Sequence, residues 1–502
     1  MYGEEKSDSL IVAANLANNP QGAESVERRS GAKGNAEQPH MRRTQSRESM
    51  SQRLSRVREA AKQRKKERFT ALFHLLTAEA LENAFLSLSR KAAAGVDGVR
   101  WKDYAENLKV NIADLHRRLH QGSYRAQPGR RHYIPKADGK QRPLGIASLE
   151  DKIVQYALVK ILNAVYENDF MGFSYGFRPG RSQHNALDAL ATGLVRTNVN
   201  WVLDADISQF FDKVSHEWLI RFIEHRIGDQ RVIRLIRKWL TAGTSEEGEW
   251  RASEEGEWRA SEEGTPQGAV ISPLLANIYL HYVFDLWAHQ WRRRHATGNV
   301  VMVRYADDIV IGFDKRIDAQ CFRIAMQRRL KEFGLTVHPK KTRLTEFGRF
   351  AAENRASRGK GKPETFNFLG FTHISGKDRS GRFMLIRKTR RGRMTATLKA
   401  IKDGLRKRWH YSIPEQGKWL RRVVQGYLNY HSVPGNYPMM RKFRIYVTDL
   451  WRRALRRRSQ QDDTTWTKAN RLAAVWLPKV RVLHPWPVER FTARHPRQEP
   501  GA

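Results

Sequence analysis

Apolar side chains change rhythm several times along this chain, and each rhythm predicts an element. Leu81, Phe85 and Leu88 recur at helical spacing and predict a helix over Thr77–Leu88. Ile153, Ala157, Ile161 and Val165 do the same over Glu150–Tyr166. Short β-rich runs predict buried strands at Trp201–Ile207, Val300–Arg304 and Ile309–Phe313. Tyr133-Ile134-Pro135 and Arg142-Pro143-Leu144 flank Ala137-Asp138-Gly139, a hairpin pattern with an Asp-Gly turn. The longest apolar stretch, Ala269–Trp287, is interrupted by Pro273, Asn277, His281 and Asp285, so it predicts a buried helix and not a membrane span. Ser272 is its expected N-cap, Pro273 lies in its first turn, and Leu274, Leu275, Ile278, Tyr282, Val283 and Leu286 form its apolar stripe.

Other segments carry little of this patterning. Residues 1–66 are polar and basic, too poor in large apolar side chains to bury much surface, and are expected to be mostly disordered. Their basic end, from Arg53 to Lys66, reads equally as a solvated charge run or as a helix that forms on RNA. Ser245-Glu-Glu-Gly-Glu-Trp-Arg-Ala252 recurs identically as Ser253–Ala260, and Ser261–Gly264 starts a third copy. Units so short and acidic are no solenoid; they lengthen a surface hairpin at small entropic cost and carry no assigned function.

Composition then narrows the partners. The 502 residues hold 91 Lys+Arg against 52 Asp+Glu, a formal net charge of +39, which favours polyanions because each neutralised phosphate releases counterions. With 40% hydrophobic residues the chain still has material for several cores. A single cysteine, Cys321, excludes an internal disulfide framework and Cys-paired zinc modules. No basic-then-apolar leader pattern opens the chain, and a soluble protein of the cytoplasm is expected, with no membrane partner. Ile386–Arg458 holds 21 Lys/Arg and 3 Asp/Glu, interleaved with Trp409, Tyr411, Trp419, Tyr427, Tyr430, Phe443, Tyr446 and Trp451. Charge for phosphates and flat rings for bases is what RNA binding needs, although most of these rings are expected in the core.

The candidate chemistry is carboxylate chemistry. Tyr305-Ala306-Asp307-Asp308 forms a turn between two apolar strands, where adjacent acids repel unless a cation compensates them. Hard oxygen ligands favour magnesium. Trp201-Val-Leu-Asp204-Ala-Asp206-Ile-Ser-Gln-Phe210-Phe211-Asp212 is a second strand ending in acids. If it lies beside the hairpin, one of its acids completes a cluster able to hold two magnesium ions for phosphoryl transfer.

Taken in order, the motifs resemble those of a bacterial group II intron reverse transcriptase/maturase. They are Ala94-Gly-Val-Asp-Gly98, Ile134-Pro-Lys136, Gln141-Arg142-Pro-Leu-Gly145, Tyr175-Gly-Phe-Arg178-Pro-Gly-Arg-Ser182, Asp206–Asp212, Gly264-Thr-Pro-Gln267-Gly268, Ser272-Pro-Leu-Leu-Ala-Asn277, Tyr305–Asp308, His338-Pro-Lys-Lys-Thr342 and Phe366-Asn-Phe-Leu-Gly-Phe371. The resemblance spans about residues 69–490 and implies an α+β right-hand polymerase. Its expected parts are a basic N-terminal region (1–66), fingers (67–195), a palm with an antiparallel sheet (196–372), a basic helical thumb or maturase domain (380–458) and a small DNA-binding tail without a nuclease domain (459–502).

The resemblance also implies roles. Asp206, Asp307 and Asp308 become the catalytic, metal-binding carboxylates, with Asp204 the rival of Asp206; Phe211, five residues on, then becomes the ring that excludes a ribose 2′-OH. Lys136 and Arg142 match the pair on the incoming triphosphate, Gln267 the residue near its sugar, and Lys340 or Lys341 the one near the leaving pyrophosphate. Arg178 and Arg181 would meet template phosphates, the alternative being loop packing, and Arg390, Arg391, Arg406, Arg408, Arg421 and Arg422 would meet RNA. Gly268-Ala269 stands where the family has Gly-Gly. The implied activities are copying the parent intron RNA into DNA at a target and binding that RNA to promote splicing. The implied partners are intron RNA, target DNA, dNTPs and two magnesium ions, in a monomer or homodimer. A splicing cofactor with an inactive polymerase and another retroelement reverse transcriptase are the rival readings.

Overall fold

A computed structural model describes residues 40–135, 141–245, 263–265, 268–458 and 464–494. The chain enters with α1 (His40–Gln63), which lies against α4 (Leu149–Tyr166). Part of the segment expected to be disordered is therefore helical. Met50, Leu54, Val57 and Ala61 recur at helical spacing and turn a narrow apolar stripe onto the core. Arg226, itself buried, donates to the carbonyls of Ala61 and Arg64 at 3.2 and 2.9 Å and so satisfies the helix C-terminus.

Between these helices lie α2 (Ala78–Ser87), α3 (Leu108–Gln121) and the hairpin β1 (Gly129–Pro135) and β2 (Gln141–Ile146). The Thr77 hydroxyl accepts from the Ala80 amide, and the Ser148 hydroxyl accepts from the Asp151 amide, so both expected helices start at N-caps. The hairpin pairs antiparallel from Arg130↔Ile146 to Pro135↔Gln141, as expected, while its Asp-Gly connection lies outside the described residues.

The middle of the chain runs through α5 (Gln183–Arg196), β3 (Trp201–Asp206), α6 (His216–Arg226), α7 (Gln230–Thr241), α8 (Ser272–Leu280), α9 (Leu286–His295), β4 (Val300–Tyr305), β5 (Asp308–Phe313), α10 (Arg316–Lys331) and β6 (Arg343–Glu346). Strands β4-β5-β3-β6 form one antiparallel sheet. Strand alternation sends Leu203, Ala205, Met302, Ile309 and Ile311 into the core shared with α1–α4 and α6–α10. It sends Val202, Val301, Val303 and Val310 to the opposite face, beneath α5. The stretch expected as one helix over 269–287 is instead α8 and α9 joined by a π-turn, His281–Asp285. Pro273 holds the first turn, and the helix already begins at Ser272, with Ile271 in the N-cap position expected for Ser272.

A second antiparallel sheet, β7 (Thr365–Phe368), β8 (Phe371–Lys377) and β9 (Phe383–Thr389), leads into α11 (Arg391–Lys407), α12 (Ile413–His431) and α13 (Tyr437–Arg456). These helices surround a separate core of Leu405, Leu420, Val424, Phe443, Val447 and Trp451. Ser412 and Glu415 form a capping box at the start of α12. Of the segment expected as a DNA-binding tail, α14 (Trp466–Trp476) adds Ala473 to that core, and α15 (Pro487–Arg494) returns to lie on α5. The architecture is α+β. Among the described residues no helix is long and apolar enough to cross a membrane.

Candidate active site

The acids meet because two strand ends coincide. In the β3–β5 ladder Asp206 lies directly opposite Asp308, while Asp204 lies opposite Val310 and, across the other edge, Arg343. Alternation puts Asp204, Asp206 and Asp308 on one face of the sheet, where the apolar run gives out. Asp308 reaches solvent yet is crowded by protein; that burial and the charges of Asp307 and Asp206 push its carboxyl up to about 7. Burial, Asp308 and Asp206 push Asp204 up to about 7 as well, against the pull of Arg343 and Arg390. Carboxyls raised by burial and then by one another's charge are a site short of positive charge. Lys341 supplies one cation, its Nζ 2.6 Å from Asp206 Oδ2. Among the described residues no three His, Cys, Asp or Glu side chains already converge on a common point as a closed ligand set. The donor set, oxygen-only and under-neutralised, fits a hard divalent cation.

The turn bearing Asp307 and Asp308 is held from behind. Ala306 takes a left-handed conformation, φ 55°, uncommon for a residue with a side chain. Segment 173–177 runs along the edge of β4: the Tyr175 amide donates to the Arg304 carbonyl at 2.8 Å, and the Arg304 amide donates to the Phe173 carbonyl at 2.9 Å. A Cβ on Gly176 would stand 2.3 Å from the Ala306 nitrogen, so only glycine permits this approach. The Asn277 side chain donates to the Gly176 carbonyl at 2.7 Å.

Arg304 lies fully buried beneath the turn. Its guanidinium pairs with Asp285 and donates to Ser174 Oγ at 2.7 Å, Asn277 Oδ1 at 3.2 Å and the Ala306 carbonyl at 3.1 Å. The π-turn in the α8–α9 helix sets where Asp285 falls. These supporting residues were not recognised in the sequence. The signal was present: an arginine inside an apolar strand, and Asn277 and Asp285 inside an apolar helix.

Other expected site residues fall in different surroundings. Lys341 touches Asp206, whereas Lys340 is an exposed neighbour. Phe211 is half-buried, packs edge-on to Phe210 with ring centroids 5.4 Å apart, and accepts from the Thr265 amide at 2.7 Å. Lys136 and Gln267 lie outside the described residues; for Arg142 only the backbone is described, paired with Ile134. Gly268, beside Gln267, has φ 111° and approaches the Gly145 carbonyl of β2 so closely that a Cβ would be 3.0 Å away.

Arg178 is a correction, and Arg181 is half-buried beside it. Arg178 is buried, paired with Glu167 at 2.9 Å, and donates to the Met171 and Ser174 carbonyls. Arg181 donates to the Gly172 and Ser174 carbonyls. The Arg178 fork is fully used in this way, and Arg181 Nη1 satisfies carbonyls of the same loop that supports the turn. By contrast Arg390, Arg391, Arg406, Arg421 and Arg422 are exposed, and Arg408 lies over Trp419 at 4.4 Å. The C-terminal aromatics divide: Tyr427, Phe443 and Trp451 are core, while Trp409, Tyr411 and Tyr446 remain exposed.

The class that this sheet and its acids define is matched by comparison. Residues 134–373 match the reverse transcriptase (RNA-dependent DNA polymerase) family. The match implies a right-hand polymerase fold for that segment, consistent with its helices and antiparallel sheet. Among individual proteins, the chain is similar to protein YkfC of Escherichia coli (strain K12), 41% identical over 214 residues, covering 42% of this chain and 54% of that protein. It is 41% identical over 180 residues to an uncharacterized 91 kDa protein in the cob intron of Schizosaccharomyces pombe, covering 36% and 21%. It is 36% identical over 231 residues to the group II intron-encoded protein LtrA of Lactococcus lactis subsp. cremoris, covering 45% and 37%. The chain thus spans about half, or less, of the length of these curated relatives.

Proposed function

We infer that this protein is an RNA-directed DNA polymerase encoded by a bacterial group II intron, which copies that intron RNA into DNA at a target site and also binds it to promote splicing. The observation that carries the polymerase reading is the register of Asp206 against Asp308, with Asp307 in the same turn, at the end of an antiparallel palm sheet. Asp206, Asp307 and Asp308 would hold two magnesium ions. Such ions, when bound, lower the pKa of an attacking primer hydroxyl and neutralise the leaving pyrophosphate.

The chain's own residues do the positioning. The Arg304–Asp285 pair and Gly176 fix the turn, and Lys341 faces Asp206 on the side assigned to the pyrophosphate. Phe211 is the proposed sugar gate, and Lys136, Arg142 and Gln267 are the proposed contacts to the dNTP. The basic helices α11–α13 are the proposed thumb, with Arg390, Arg391, Arg406, Arg408, Arg421 and Arg422 toward RNA. A location in the bacterial cytoplasm follows from that role.

The test is primer extension on an RNA template with magnesium and dNTPs, comparing wild type with Asp307→Ala. Extension by wild type and none by the variant, with intron RNA binding retained, is expected. No extension by a folded, RNA-binding wild type would move the reading to a splicing cofactor without polymerase.

A further inference from the structure

A second pocket lies far along the chain from the carboxylates, between α11, α13 and the start of α12, with a volume of about 630 Å³ including its open mouth. Its floor is apolar: Leu405, Leu450 and Ala454. Its wall is the indole of Trp409, a large ring left 39% exposed on a bundle that has buried Trp451 nearby. Around the mouth stand Lys402, Arg406, Arg453 and Arg457.

Packing alone does not account for this combination. Arg453 is paired with Asp449 at 2.7 Å. Among the described residues Lys402, Arg406 and Arg457 meet no carboxylate, so three like charges crowd one opening without local compensation. Gln416, buried at the back, accepts from Trp451 Nε1 at 2.9 Å and donates to the Arg408 carbonyl at 2.7 Å. A primary amide has two N–H groups and two lone pairs, so one of each remains for an occupant.

We propose that this pocket receives a single unstacked nucleotide of bound RNA, its base against Trp409 over the apolar floor and its flanking phosphates on Lys402, Arg406 and Arg457. An apolar floor with a flat ring and a polar amide suits a base, and the cationic rim suits phosphodiesters. RNA is favoured over a free nucleotide because the uncompensated charge continues past the rim through Lys407 and Arg456, further than one nucleotide's phosphates reach. The assignment rests on the reading that the chain binds RNA.

The experiment uses the full chain and two short RNA hairpins, one fully paired and one with a single bulged 2-aminopurine. Wild type should bind the bulged hairpin about tenfold more tightly, the scale of one base stacked on an aromatic ring, and quench its fluorescence. Trp409→Ala should erase that preference and leave the paired hairpin bound as before, while Trp409→Phe, which keeps a ring, should retain most of it. Arg457→Gln, a surface change that does not touch the core, should weaken the bulged hairpin more than the paired one. Equal binding of both hairpins by wild type would overturn the pocket assignment but leave RNA binding standing. Binding of neither would overturn both readings. Displacement of the bulged RNA by AMP or ATP at comparable concentration would overturn the assignment in favour of a free-nucleotide site.

Discussion

Arg304 and Asp285 form a fully buried, two-pronged ion pair, Nε to Oδ1 at 2.7 Å and Nη2 to Oδ2 at 2.6 Å, directly beneath the turn that carries the candidate catalytic acids. A planar fork is required, because one guanidinium serves the carboxylate, two side chains and the Ala306 carbonyl at once. Removing either partner leaves a buried charge uncompensated. Arg304→Ala and Asp285→Ala should each lower stability by about 3–5 kcal/mol. Arg304→Lys, with one compact charge, should rescue little of this; urea unfolding curves decide.

Gly176→Ala tests the same support from outside. The added methyl would overlap the Ala306 nitrogen, so the turn must shift. A loss of about 1–3 kcal/mol is expected, the scale of overpacking, together with a sharp fall in primer extension. Unchanged extension would mean that the turn tolerates displacement.

The two adjacent lysines should separate. Lys341→Ala removes the cation on Asp206 and should reduce extension by about tenfold or more, the order expected when a charge that stabilises a transition state is lost. Lys340→Ala should stay within about twofold of wild type. Steady-state extension rates on one template distinguish them.

Phe211→Ala should admit ribonucleotides if the ring excludes a 2′-OH. The measurement is the ratio of rNTP to dNTP incorporation, which should rise in the variant. An unchanged ratio removes Phe211 from the site.

His373 predicts an acid-sensitive fold. It is buried against Phe366, with ring centroids 4.7 Å apart, and burial followed by the charge of Arg387 holds its pKa down to about 3. The folded protein therefore favours the neutral ring. Its contribution is fully present above the unfolded pKa of about 6.5 and is lost as pH falls toward 3. His373→Phe should flatten that dependence, seen as a smaller difference in urea midpoint between pH 7.5 and pH 5.

Much of this architecture was legible in the sequence because the acids end β-rich runs. Asp206 and Asp307-Asp308 could be placed at neighbouring strand ends, and the register sets Asp206 opposite Asp308. The ladder adds a relationship that the spacing did not give: Asp204 and Asp206 share one face, and only Asp206 pairs with Asp308. The π-turn was hidden, because a continuous apolar stretch does not reveal a local change in hydrogen-bond spacing. Loop packing was the alternative for Arg178, and arginine's usual place at the surface hid it: only the folded loop shows Glu167 and two carbonyls converging on its guanidinium. Of the helix at 40–63 only the basic end was weighed, as one that forms on RNA, because a thin stripe of Met50, Leu54, Val57 and Ala61 is diluted by the basic residues around it.

The return of α15 to α5 also bears on synthesis. Asp188 is buried in α5 and is shared by Arg387, at 3.5 Å, and Arg490, which also bonds it. The two ends of the Asp188–Arg490 contact are 302 residues apart. At a translation rate of about 5–20 residues per second, a ribosome needs on the order of 15–60 s to deliver the second guanidinium. During that interval the emerging chain carries the strands of the candidate site with one helix face still uncovered. The finished seam between α5 and α15 thus closes only after Arg490 has been made.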